Sequence, residues 1–186
     1  MKKVLLIIAI ILCIFQMVVL ATDITIGNTA SDRGSYIAIN YTRIDYIHAA
    51  TGTGNLTSIE VYLQQATTSD VYVATFEEVS SDHFTARDNV NLGTITVGYH
   101  KLTTDKNSAA ISLSVETGDY IGIWCDSGNI ELDTSGGGFY YYPAVSNQTS
   151  CVNTAFAFLD NRQMSLYASG GGAAAADNAI FIGTNF

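Results

Sequence analysis

Apolar and polar residues alternate with a period of two along most of this chain, and a period of 3.6 is nowhere sustained. In LTSIEVYLQQ (56–65), Ile59, Val61 and Leu63 fall on one face, and Ser58, Glu60, Tyr62 and Gln64 on the other. The alternation recurs in VYVATFEEV (71–79), GTITV (93–97), AISLSVE (110–116), YIGIWC (120–125), NIELD (129–133) and MSLYA (164–168). Successive side chains of a strand point to opposite sides, so each segment offers one apolar face to a core and one face to water. Turn chemistry separates the segments: Thr51-Gly52-Thr53-Gly54-Asn55, Thr68-Ser69-Asp70, Ser80-Ser81-Asp82, Asp105-Lys106-Asn107, Thr117-Gly118-Asp119 and Asp126-Ser127-Gly128-Asn129. The lone proline, Pro143, leaves the ladder positions their N–H donors. Strands of this length and spacing predict an all-β fold: an antiparallel double-sheet sandwich, jelly-roll-like, with about ten to twelve strands over residues 22–170.

Both ends depart from the pattern. Lys2 and Lys3 precede an apolar run, broken only by Gln16 before Leu20, and Val19 and Ala21 suit a signal-peptidase site. Residues 1–21 therefore read as a signal peptide, which makes the protein secreted with no membrane span left after cleavage. The alternative is an uncleaved anchor at the cell surface. At the other end, a Gly/Ala tether (171–178) leads into an apolar strand (179–186). Such a strand can fold back on its own sheet or complete an edge of a second copy. Asp23 to Gly27 offers the same choice.

Charge narrows the partners. Without Lys2 and Lys3 the balance is 6 Lys and Arg against 17 Asp and Glu, a net charge of −11. That surface repels nucleic acid and anionic lipid. Cys125 and Cys151 remain after cleavage, and two cysteines in an exported chain suggest a disulfide worth about 3 kcal/mol. The alternative is two separate buried thiols.

Candidate chemistry is sparse. Asp126-Ser127-Gly128 resembles the presentation of an aspartic-protease carboxylate, but that chemistry needs two carboxylates sharing a proton. Asn129 follows where a small residue is wanted, and Gly and Asn suit a tight hairpin joining YIGIWC to IELDT. His48, His83 and His100 lack metal-ligand spacing, and no nucleophile elbow occurs. No catalytic residue is assigned and no cofactor is required.

Two binding readings remain. If Ile121, Ile123 and Cys125 face the core, Tyr120 and Trp124, with Tyr140 and Tyr142, line the opposite face as a stacking platform for a surface glycan. The other arrangement buries Trp124. Asp126, Glu131 and Asp133 lie near strand ends, where carboxylates can gather around Ca²⁺. Asn40, Asn55 and Asn147 each open an N-glycosylation pattern, which a Thr-rich chain forms easily.

The segments IGNTASDRGS, GNLTSIEVYL, HFTARDNVNLGTITVG, SVETGDYIGIWCDSGNIELDTSGGGFYYY and MSLYASG resemble, in that order, a β-sandwich domain of secreted and phage-related structural proteins. The resemblance spans residues 24–170 and is most specific at Gly118 to Ile123 and Asp133 to Gly137. It implies a jelly-roll-like module for surface display, adhesion or assembly, and carries no catalytic residues. The expected function is a non-enzymatic extracellular structural, assembly or adhesion subunit that self-associates through terminal strands; the alternative is a lectin-like glycan-binding module, with Ca²⁺ assisting.

Overall fold

The computed structural model describes residues 23–172, and all regular structure in them is β. The signal peptide, the terminal strand and most of the tether lie outside these residues. One antiparallel sheet holds eight strands: β1 (Asp23–Gly27), β2 (Ser35–Ala38), β4 (Gly54–Gln65), β7 (Gly98–Leu102), β8 (Leu113–Val115), β10 (Asn129–Asp133), β14 (Gln163–Met164) and β15 (Leu166–Gly172). The other holds seven: β3 (Arg43–Asp45), β5 (Val71–Ser80), β6 (His83–Gly93), β9 (Tyr120–Trp124), β11 (Gly138–Tyr141), β12 (Thr154–Ala155) and β13 (Ala157–Asp160).

The larger core takes side chains from both sheets. Ile59, Val61, Leu63, Ile130 and Leu166 of the first meet Val71, Val73, Ile121, Ile123 and Phe139 of the second, each fully buried. The alternation in β4 runs through a defect. Leu56 is buried, Thr57 and Ser58 intervene, and Ile59, Val61 and Leu63 are buried again. The pairing with β15 slips there, with Ser169 opposite Ser58 and Gly170 opposite Leu56. The extra residue is a β-bulge that returns the apolar face to the core after an odd step. Gly170 sits under it, because a Cβ there would lie 2.0 Å from the Asn55 carbonyl oxygen.

Two local expectations need correction. Asp126-Ser127-Gly128-Asn129 does not close a hairpin: β9 pairs with β3 and β5, while β10 pairs with β2, β4 and β14 in the other sheet. Ile121 and Ile123 reach the shared core from one side, and Ile130 and Leu132 from the other, so the chain turns a corner between sheets. Gly128 takes φ 96° at that corner, its carbonyl accepts from Ile39 N–H at 3.2 Å, and Ser127 Oγ accepts from Thr68 N–H at 2.8 Å. Asp126 is exposed there.

Cys125 and Cys151 are free thiols, not a disulfide. Cys125 belongs to the core between the sheets, its Sγ 3.2 Å from Ser69 Oγ. Cys151 belongs to a second cluster on the opposite face of the seven-stranded sheet, where burial pushes its thiol pKa up. The sheet itself separates the two sulfurs.

Candidate functional site

The seven-stranded sheet curls strongly. Residues 154–155 pair with β6 at one end of its strand order, and 157–160 pair with β11 at the other. The face turned away from the eight-stranded sheet thereby encloses the second cluster. Phe76 and Phe84 are fully buried there, with Tyr140 6% and Phe156 5% exposed. Tyr46 stacks on Tyr120 at 4.5 Å and meets Tyr140 edge-on at 4.8 Å. Its hydroxyl donates to Glu78 Oε2 at 3.0 Å, and burial pushes its pKa up. Burial and the Asp82 carboxylate push Tyr140 up to about 12.

This placement splits the four aromatics expected to form one platform. Tyr140 is core, Tyr120 and Tyr142 are half-buried against the same cluster, and Tyr142 meets Phe156 at 5.7 Å. Trp124 stands apart, half-buried beside Tyr72 at 5.9 Å, with its indole N–H buried and unpartnered among the described residues. Gly122 lies between Tyr120 and Trp124 because a Cβ there would lie 2.7 Å from Phe76 Cε2 and 2.6 Å from the Arg43 carbonyl oxygen. The aromatic alternation was legible, but not that a curled sheet would seal it.

Asp126, Glu131 and Asp133 do not form a cation site. Asp126 is exposed at the corner, whereas Glu131 is 4% exposed within β10. Asp133 accepts from the Ser135 hydroxyl at 2.9 Å, which holds its pKa below the usual carboxylate range. The nearest cation is Arg33, whose Nη1 lies 3.9 Å from Asp133. Among the described residues no three His, Cys, Asp or Glu side chains converge as a metal site.

The open face is the outer one of the eight-stranded sheet. A groove of about 390 Å³ runs there between the 32–36 segment and β4, and Glu131 lies in its lining with Asp32, Tyr36, Tyr62, Gln64 and Val97. Tyr36 is 55% and Val97 60% exposed. Tyr36 pairs directly with Glu131 across β2 and β10, so ring and carboxyl are cross-strand neighbours on one face. Tyr62 and Gln64 fall on the solvent face of β4, as its alternation predicts. Tyr36 was missed because Ser35 to Ala38 carries too short a pattern to read.

A second cleft of about 470 Å³ is lined by Asn28, Thr29, Ile47, His48 and Tyr167 among others. Behind it Asp45 is 1% exposed, accepting from Asn28 Nδ2 at 2.6 Å and from Ile47 N–H at 3.1 Å. Burial outweighs these donors and pushes the carboxyl up to about 6. The folded state thus holds this proton more tightly than the unfolded chain does. Its contribution to stability is complete below the unfolded value of 3.8 and is lost as pH rises through about 6. Unfolding free energies of wild type and Asp45→Asn, measured across that interval, should show wild type losing stability relative to the variant. A gain with rising pH contradicts the assignment.

Comparison with known protein families, curated proteins and solved structures finds no match. No helix of the described residues is long and apolar enough to cross a membrane.

Proposed function

We propose that the protein is a non-enzymatic extracellular β-sandwich of jelly-roll type, a structural or adhesion subunit whose copies associate along one sheet edge. Export rests on residues 1–21, which either leave with cleavage or hold the protein at the cell surface. The jelly-roll reading is supported by strand order. From β2 to β10 the chain lays down β2-β10-β4-β7 in one layer and β3-β9-β5-β6 in the other, with β8 beside β7 on β4. Non-consecutive neighbours of this kind are the mark of Greek-key winding.

Association is carried by one observation, the edge of β13 left unpaired among the described residues. The edges at β1, β6 and β7 are capped or charged. Gly27 N–H donates to the His48 carbonyl and Thr51 N–H to the Thr25 carbonyl, so β1 is capped by the 48–51 segment. Along β6, Ala86 N–H donates to the Cys151 carbonyl and the Asn91 carbonyl accepts from Lys106 N–H. β7 carries Lys101, a charge of the kind that discourages strand addition. Among the described residues β13 pairs with β11 on one side only, and it reads Ala157-Phe158-Leu159-Asp160, without Lys or Pro. Phe158 is 47% and Leu159 37% exposed. Tyr46 N–H donates to the Gly138 carbonyl and Tyr142 N–H to the Thr42 carbonyl, so the even positions of β11 bond toward β3. Antiparallel alternation then turns Leu159 toward β11 and leaves the backbone groups of Phe158 and Asp160 pointing outward.

Two such edges can pair antiparallel about a two-fold axis, each contributing the same surface. Sedimentation of the mature protein over a range of concentrations should show reversible association that Leu159→Lys removes without lowering the melting temperature. A wild type that stays monomeric, or a variant that assembles as wild type does, rules out this edge. The terminal strands first expected to mediate association stand differently: β1 pairs with β15 of its own chain, and 179–186 lie outside the described residues.

A further inference from the structure

We infer that the groove between the 32–36 segment and β4 is a binding site for a neutral glycan, with Tyr36 and Tyr62 as stacking surfaces and Glu131 as the buried hydroxyl acceptor. It lies on the outer face of the eight-stranded sheet, away from the aromatics from which a sugar platform is expected in the sequence.

The site begins at a fork in the sheet. β10 pairs with β4 at Asn129 and Ile130, after which β14 and β15 enter between them. Ser165 sits at the branch: its N–H donates to the Glu131 carbonyl at 3.0 Å and its carbonyl accepts from Tyr62 N–H at 3.1 Å. The fork fixes Glu131 and Tyr62 on either side of one residue. Above it, the Ser165 hydroxyl donates to the Ser31 carbonyl at 2.6 Å and accepts from Arg33 Nε at 2.8 Å. These bonds hold the 31–36 segment over the sheet as the groove wall.

The groove's polar group uses only one of its two oxygens within the described residues. Glu131 is 4% exposed, yet no cation pairs with it among the described residues. Arg33, the nearest candidate, directs its guanidinium to Ser165, to the Thr29 carbonyl at 2.8 Å, and toward Asp133. The hydrogen bond Glu131 accepts is from Arg33 N–H to Oε2 at 3.2 Å, and Oε1 receives none from the described residues. The Arg33 N–H ties Oε2 to the groove wall, and Oε1 is left to accept from a ligand hydroxyl, the kind of placed polar group that orients a ligand in a groove.

The lining selects the ligand class. A pyranose presents a C–H face that packs on an aromatic ring and a rim of hydroxyls that both donate and accept. Tyr36 is an exposed ring beside Glu131, Tyr62 is a half-buried one, and Val97 adds apolar surface. Glu131 and Asp32 accept from hydroxyls, while Gln64 can donate as well as accept. A lysine or quaternary-ammonium group would use the carboxyls but has no use for the amide donor, and two rings make no cage around it.

The test is titration of the full mature protein, followed by NMR, with methyl glycosides of glucose, galactose, mannose, xylose and N-acetylglucosamine and their tetrasaccharides, and with a trimethyllysine peptide as the competing probe. At least one neutral glycan should bind and shift the Tyr36 and Tyr62 ring signals. Tyr36→Ala and Glu131→Gln should each weaken it by about tenfold or more, and Trp124→Phe and Tyr142→Phe by less than about twofold. Tyr36 is exposed, so its variant reads binding without a folding cost. Absence of binding by every neutral probe, preference for the peptide, or loss on Trp124→Phe with none on Tyr36→Ala overturns the inference. Leu159→Lys should leave glycan affinity unchanged, which keeps this test separate from the association test.

Discussion

Phe84→Ala is expected to destabilise the protein by about 3–5 kcal/mol, the range for deleting a buried aromatic ring. Phe84 is fully buried, with ring centroids 4.9 Å from Tyr140, 5.5 Å from Phe156, 6.2 Å from Tyr120 and 6.5 Å from Tyr46. It is the residue through which β6, β9, β11 and the strap before β13 meet. Rigid rings around it cannot collapse into the void, and edge-to-face contacts are lost beyond the transferred area. For a domain of this size, the melting temperature should fall by roughly 6–20 °C, at about 2–4 °C per kcal/mol. Urea unfolding of wild type and variant checks it. A loss below about 1 kcal/mol would show that these aromatics are not a second core, and would return Tyr120, Tyr140 and Tyr142 to the role of an open platform.

Arg87→Ala should cost about 2–3 kcal/mol, less than a fully buried pair because the Arg87 side chain is 22% exposed. Asp119 is 3% exposed. It receives a fork from Arg87, Nε to Oδ2 at 2.6 Å and Nη2 to Oδ1 at 3.1 Å, and also accepts from Glu116 N–H at 2.8 Å. These bonds fasten the 116–119 turn, which connects the two sheets, to β6. Removing the guanidinium strands a buried carboxylate, and Arg87→Lys should recover only part of the loss because an ammonium cannot reproduce the fork. Lys101→Ala, which breaks an exposed pair with Glu60 at 2.9 Å, should cost much less than Arg87→Ala. Equal losses from Arg87→Ala and Lys101→Ala would contradict the assignment.

The central strands were legible because their alternation is local. β4, β9 and β10 fall where Ile59 to Leu63, Ile121 to Ile123 and Ile130 to Leu132 predict them. Partnership was not legible. A Gly-Asn turn between two alternating segments serves a hairpin or a corner between sheets equally well, and only the position of the shared core distinguishes them. The short β2, β3, β12 and β14 carry too few residues for a period. The disulfide expectation failed because spacing along the chain cannot tell on which face of a sheet each sulfur lies.

The groove shows the same division. Tyr62 and Gln64 were placed on the polar face of β4 by pattern alone. Glu131 was visible as an acid in an alternating strand, but its burial depends on a hydrogen bond from Arg33, 98 residues earlier in the chain. Trp124 attracted a binding role because alternation sets it opposite Ile121, Ile123 and Cys125, whereas Tyr36, in an unpatterned stretch, is the more exposed ring.

Assembly through β13 is tested most directly by amide hydrogen exchange at Phe158 and Asp160 as protein concentration rises. Edge pairing predicts that both amides gain protection with association and lose it in Leu159→Lys, while Leu159, already bonded to β11, changes little. Association that leaves Phe158 and Asp160 exchanging as in the monomer, or that protects β7 or β1 instead, contradicts it.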